Sequence, residues 1–173
     1  MIHRPTTPRR VRLDIRMSET QRITPYANPA PGAVAAILLT PDARYLLQHR
    51  DDKTDIWDAG AWGMFGGSIE DGEEPVEALA RELFEELEFV LSRPPRYFTQ
   101  LAWDYGQWGH GIKLRFFYEV EISEAELAGL VQHEGQGMAR FSAAEILRDP
   151  RITAYDTFAL RMHIRGTSCL PQV

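Results

Sequence analysis

A single cysteine, Cys169, stands near the end of this 173-residue chain. No disulfide can form within one chain, so a reducing, cytoplasmic setting is the expectation. A lone terminal thiol is also badly placed for a nucleophile. No apolar run approaches the roughly 20 residues that a membrane span needs, and the N-terminus lacks the apolar core of a signal peptide. Membrane partners are therefore not expected. Internal repeats and low-complexity tracts are absent as well. Basic residues are the minority, with 19 Lys and Arg against 25 Asp and Glu and a net charge of -6. That argues against a nucleic-acid partner, which requires a basic face. A ligand bearing phosphates must be met locally, by a metal or a few arginines. What is present is ordinary for one soluble domain, 44% hydrophobic and 25% charged, and long enough for a proper core.

The first residues differ from the rest. Arg4, Arg9, Arg10, Arg12 and Arg16 sit among few acids. Such a start resembles a transit peptide, but a disordered arm or an upstream start codon before Met17 is the preferred reading. Pro25, Pro29 and Pro31 then mark an extended lead-in. Ala33 to Leu39 and Tyr45 to Gln48 are predicted strands around a turn at Pro41, Asp42 and Ala43. Asp51 to Ala61 is a polar loop, and Trp62 to Phe65 a brief strand. Tyr97 to Tyr105 and Ile112 to Ile122 are strands joined by a loop over Gly106 to Gly111. Helices are expected from Glu124 to Leu130, capped by Ser123, from Ser142 through Leu147, and from Tyr155 to Ile164. This order suggests an α/β or α+β sandwich.

The stretch GGSIEDGEEPVEALARELFEEL, from Gly66 to Leu87, is dense in acids and spares one base, Arg81. Pro75 fits the first turn of a helix, where a missing N–H costs nothing. At about 100° per residue, Val76, Leu79, Ala80, Leu83, Leu87 and Val90 share an arc that should be buried. Glu82, Glu85 and Glu86 fall together on the far, solvent side, with Ala78 one turn earlier leaving room above them. Like charges at these spacings repel by a few tenths of a kcal/mol per pair, and no lysine dilutes them. Arg81 is placed to touch Glu77 and Glu85. A divalent cation relieves the repulsion, and hard oxygen ligands suit Mg²⁺ or Mn²⁺. The plain alternative is an acidic solvated surface. The two preceding glycines shift the balance, because glycine lets backbone approach a ligand or offer a carbonyl to a metal.

Read as spacing, the stretch runs Gly67, five residues, Glu73, seven residues, then Arg81-Glu82-Leu83-Phe84-Glu85-Glu86. This resembles the Nudix box, G-x5-E-x7-R-E-U-x-E-E-x-G-U with U aliphatic, at every position up to Glu86. It departs at the end, where Glu88 replaces the glycine and Phe89 the aliphatic residue. That glycine ends the helix in a left-handed conformation, so Glu88 puts the helix end in question.

The resemblance implies a Nudix hydrolase of MutT-like kind, an α/β/α sandwich with a mixed central sheet. The domain would cover residues 25–173, behind a basic, disordered or extended segment 1–24. The family cleaves a nucleoside diphosphate linked to another group, with Mg²⁺ or Mn²⁺. Carried over by position, Glu85 and Glu86 are the main metal ligands, and Glu82 is a third ligand or a base. The Gly66 carbonyl completes the shell, Arg81 orients Glu85, and Glu73 braces the loop. Glu134, in His133-Glu134-Gly135-Gln136, resembles a loop glutamate of MutT-type members that serves metal or base chemistry. Arg50 resembles a phosphate-contacting position, with a surface ion pair to Asp51 or Asp52 as the alternative. Trp57 and Trp108 are candidate base-stacking platforms, while Trp62 is expected to pack under the glycine loop. The expected partner is a small nucleotide or diphosphate: a nucleoside triphosphate, a nucleotide sugar or a dinucleotide. A homodimer stays open. The competing reading is a non-catalytic Nudix-like sensor, disfavoured because all three box carboxylates are present. An isomerase of the same superfamily would need a core cysteine, which the chain lacks.

Overall fold

The structure, a computed structural model, describes residues 32–54, 58–104, 112–148 and 151–166. Trp57, Tyr105, Trp108, Cys169 and the basic segment 1–24 lie outside the described residues.

The chain runs β1 (Ala33–Leu39), β2 (Tyr45–His49), β3 (Trp62–Gly63), α1 (Pro75–Leu87), β4 (Arg96–Asp104), β5 (Ile112–Glu121), α2 (Glu124–Ala128), β6 (Gly137–Phe141), α3 (Ala143–Leu147) and α4 (Ala154–Ile164). The sheet order is β3-β2-β1-β5-β4, with β6 on β2. β1 and β5 pair in parallel, while β2 pairs antiparallel with β1, β3 and β6, and β4 antiparallel with β5. The sheet is therefore mixed, as expected. Alternation along β1 and β5 sends side chains to both faces. Val34, Ala36, Leu114, Phe116 and Tyr118 meet Val76, Leu79, Leu83 and Leu87 of α1 in one core cluster. Ala35, Ile37 and Phe117 meet Ile146, Ala159 and Leu160 of α3 and α4 in the other. Each fully buried leucine of α1 contributes about 1.5–3 kcal/mol, which fixes that helix against the sheet.

The helix wheel needs three corrections. Ala78 is fully buried rather than placed beside the carboxylates. Val90 is exposed, because the helix has ended before it and the periodic argument no longer applies. Glu86 is only 6% exposed, so it is not on the solvent side. The buried arc is wider than the apolar residues alone suggested, and Glu86 lies at its edge.

Glu88 settles how the helix ends. It adopts the left-handed conformation, φ 52° and ψ 22°, in the place the box reserves for glycine. Its N–H donates to Phe84 O at 2.9 Å, and the Phe89 N–H donates to Leu83 O at 3.2 Å. These bonds satisfy carbonyls that a helix end leaves open. Phe89 is 4% exposed and joins the α1 core cluster, filling the aliphatic position.

Candidate active site

Gly66 and Gly67 connect the end of the β3 segment to the loop before α1. Gly66 has φ +128°, and a Cβ there would lie 2.4 Å from Val34 O. A Cβ on Gly67 would lie 2.5 Å from both carboxylate oxygens of Glu82. Two glycines are needed because backbone and carboxylate press on this turn from opposite sides. The result is that the Gly66 N–H donates to Glu86 Oε2 at 2.8 Å.

Arg81 organises the rest. Its Nε and Nη2 donate to the two oxygens of Glu73, each at 3.0 Å, a bidentate fork. Nη2 also donates to Ser68 O at 2.8 Å. Nη1 donates to Glu82 at 2.8 Å and to Glu85 at 3.1 Å. The bracing of Glu73 and the contact to Glu85 follow the expectation. The contact to Glu82 was not foreseen, and Glu77 instead reaches back to the Glu74 N–H at 3.2 Å, part of a capping box.

Burial pushes the Glu86 carboxyl up to about 8, against the opposing Gly66 N–H, and the charges of Glu134 and Glu82 push the same way. Burial also raises Glu82, while Arg81 counters it and Glu85 and Glu134 add to it. Glu134 thus acts on both buried glutamates although it comes from a distant loop. β6 brings it there. The Gln136 N–H donates to His49 O at 2.7 Å, the His133 N–H to Glu86 O at 2.9 Å, and the Val131 N–H to Leu87 O at 3.0 Å. Gln48 and Gln132 both donate to Glu134 O, at 3.3 and 2.6 Å. Glu88 returns the favour from the helix end, its Oε1 lying 2.8 Å from His133 Nε2.

Glu82, Glu85, Glu86, Glu134 and Gly66 are therefore drawn into one region with Arg81 at its side. Among the described residues, no three carboxylate, imidazole or thiol side chains form a ready metal cage. Glu82 and Glu85 share one Arg81 donor, and Glu85 keeps a side-chain exposure of 58%. The donor set still fits a hard divalent cation: all oxygen, mutually repelling, with one buried carboxylate, Glu86, that forms no ion pair among the described residues. Arg50 stands just beyond β2, its N–H bonded to Ala61 O at 2.9 Å, its carbonyl accepting from Gln136 Nε2 at 2.8 Å. Its Cδ lies against Gly63, 3.4 Å from where a Cβ would be. Trp62 stacks on His49 at 4.7 Å and meets the edge of Phe141 at 4.9 Å.

Two features around the site are only faintly signalled by the sequence. One is β6, whose Gly-Met-Ala-Arg-Phe has little strand propensity. The other is the buried pair of Arg115 and Asp156, signalled only by a charged residue among apolar neighbours in β5.

A sandwich of this topology with this box defines a class, and comparison with known proteins agrees. The NUDIX domain family matches residues 29–159. The chain belongs to that family and is a Nudix hydrolase. Its fold is similar to that of a MutT protein from Methanosarcina mazei Go1, at 19% identity and a TM-score of 0.67, over 82% of this chain and 98% of that one. It is similar to the ORF135 protein of E. coli, at 27% identity and a TM-score of 0.62, over 79% of this chain and 91% of that one. The E. coli dihydroneopterin triphosphate pyrophosphohydrolase follows, at 15% identity and a TM-score of 0.60, over 78% of this chain and 95% of that one.

Proposed function

We propose that the chain is a metal-dependent pyrophosphohydrolase that cleaves a diphosphate linkage in a small nucleoside diphosphate derivative, by attack of water on phosphorus. One observation carries this reading. Glu86 is a buried carboxylate held by a backbone N–H, beside Glu82 and Glu134, in an assembly braced by the Arg81–Glu73 fork. Burying one carboxylate among others costs several kcal/mol, and a cation offsets that cost. A structural neighbour is named for the cleavage of a triphosphate, the same kind of bond.

Glu85 and Glu86 are assigned as the main ligands of Mg²⁺ or Mn²⁺, with Glu82 and the Gly66 carbonyl as further oxygen donors. The bound cation supplies charge for the phosphate oxygens and lowers the pKa of water. The chain's own residues do the remainder. Arg81 keeps Glu82 and Glu85 turned to one side. Glu134, on a loop pinned by three glutamines, accepts the proton of the attacking water. Arg50 meets substrate phosphate, and Trp57 and Trp108 offer faces for a base. An overall acidic protein tolerates a polyphosphate because the substrate arrives with its cations. Among the described residues no helix is long and apolar enough to cross a membrane, and the cytoplasm is the proposed location.

The test is a phosphate and pyrophosphate release screen with Mg²⁺ and with Mn²⁺. It spans nucleoside triphosphates, nucleotide sugars and dinucleoside polyphosphates, with a chelator control. Turnover abolished by the chelator supports the reading and names the substrate class. Nucleotide binding without turnover on any member would replace it with the sensor function.

A further inference from the structure

We infer that Asp156 is a positioning residue for the carboxylate centre, acting from α4 on the opposite face of the sheet through the backbone of Met64. This inference rests on the cation site proposed above. Asp156 is 1% exposed and lies in the first turn of α4. Its Oδ2 accepts the Met64 N–H at 2.8 Å. Only Phe65, itself fully buried, separates Met64 from Gly66, whose N–H holds Glu86. A run of three residues is thus fixed at one end by a carboxylate from α4 and at the other by a carboxylate from α1.

The surroundings are built for this contact. A Cβ on Gly63 would stand 3.2 Å from Asp156 Oδ2, tighter than ordinary contact, so glycine gives the carboxylate room to approach. The residues before α4 run alongside β3. The Trp62 N–H donates to Arg151 O at 2.7 Å, and the Thr153 N–H donates to Trp62 O at 2.9 Å. On the far side the Ala36 N–H donates to Phe65 O and the Val34 N–H to Gly67 O, both at 2.9 Å. The segment is therefore gripped between β1 and the start of α4, with little freedom left once Asp156 holds Met64.

A buried carboxylate is an expensive way to hold a strand. The charge is balanced by Arg115, whose Nε lies 3.4 Å from Asp156 Oδ1 and whose guanidinium sits 4.7 Å from the centroid of the Tyr155 ring. Replacing a buried ion pair by apolar residues is often neutral or stabilising, so fold stability alone does not call for one here. Geometry at Gly66 does. Partners outside the ligand set that orient a metal ligand are typically worth about 10–100-fold in metal affinity or activity.

The experiment separates the hydrogen bond from the charge. In the full chain carrying Arg115→Gln, which leaves no unpaired buried guanidinium, Asp156→Asn is compared with Asp156→Ala. Asparagine keeps an oxygen acceptor for the Met64 N–H, and alanine removes it. The first readout is hydrogen exchange of the Gly66 amide, followed by NMR without metal. The second is Mn²⁺ affinity, and the third is turnover. The Asn variant should keep the Gly66 amide protected and bind Mn²⁺ like the natural chain. The Ala variant should lose that protection, with the amides of the β4–β5 pairing unaffected, and bind Mn²⁺ about 10–100-fold more weakly. Its kcat should fall while KM for the nucleotide stays close to that of the Asn variant. Equal Gly66 protection and Mn²⁺ affinity in the two variants would overturn the inference. Glu86→Gln serves as the control. If it leaves Mn²⁺ affinity unchanged, the cation reading fails, and Gly66 exchange alone then decides the role of Asp156.

Discussion

At Glu86, burial works against the charge that the proposed cation role requires. Its carboxyl is held at about 8 against an ordinary 4.5, chiefly by burial. The folded chain therefore binds a proton more tightly than the unfolded one. Stability from this group is full below about pH 4.5 and declines as pH rises through about 8. Glu86→Gln keeps an acceptor for the Gly66 N–H and removes the titrating charge. At neutral pH and without metal it should raise stability by about 1–3 kcal/mol, seen as a melting temperature several degrees higher. An unchanged or lower melting temperature would show that the carboxylate is better compensated than its burial suggests. The spacing of Glu82, Glu85 and Glu86 was legible in the sequence. Their unequal exposure was not, because it depends on how the glycine turn lies over the helix.

At the scale of elements, α1 and its two ends set the site. Its N-terminus was readable from Pro75 and its apolar arc from periodicity. Its C-terminus was not, because a glutamate occupies a position where glycine is favoured. A non-glycine residue in the left-handed region costs about 1 kcal/mol. The contact of Glu88 with His133 is exposed, about half of each side chain being accessible, and offsets this only weakly. Glu88→Gly should accordingly leave the melting temperature unchanged or slightly raised, and a clear drop would mean that the tie to the Glu134 loop outweighs backbone strain. β6 illustrates the opposite difficulty. Nothing local in Gly137–Phe141 specifies a strand, and its pairing with β2 from Tyr45 to His49 is what imposes one. That pairing anchors the loop of Glu134, so the residue was legible as a candidate while its placement beside α1 was not.

Across the whole molecule, α4 is joined to the sheet by polar contacts at both ends. At its start Asp156 holds Met64. Near its end His163 bridges three strands: Nδ1 lies 2.9 Å from Tyr45 OH, and Nε2 lies 3.2 Å from Glu119 Oε1, which in turn pairs with Arg96. Such links join residues more than forty positions apart in most cases, so no window of sequence displays them, and the layered architecture was legible where these contacts were not. Burial holds the His163 imidazole below its ordinary value, with Glu119 pulling the other way. The unfolded chain takes up this proton near pH 6.5, before the folded chain does. Stability from His163 is therefore present above that pH and lost as pH falls toward the folded value. Melting curves at about pH 7.5 and about pH 5.5 should show a smaller acid-side loss in His163→Gln than in the natural chain. An equal loss would mean that His163 does not titrate differently on folding.

The central claim is that the carboxylate face of α1 is a cation site at which a diphosphate bond is cleaved. It is tested most directly by titrating turnover with Mg²⁺ in the natural chain, Glu85→Gln and Glu86→Gln, using the substrate the screen identifies. The account predicts folded variants whose kcat falls at least about 10²-fold and whose Mg²⁺ requirement rises. Full activity in either variant, at the same Mg²⁺ concentration as the natural chain, would contradict it.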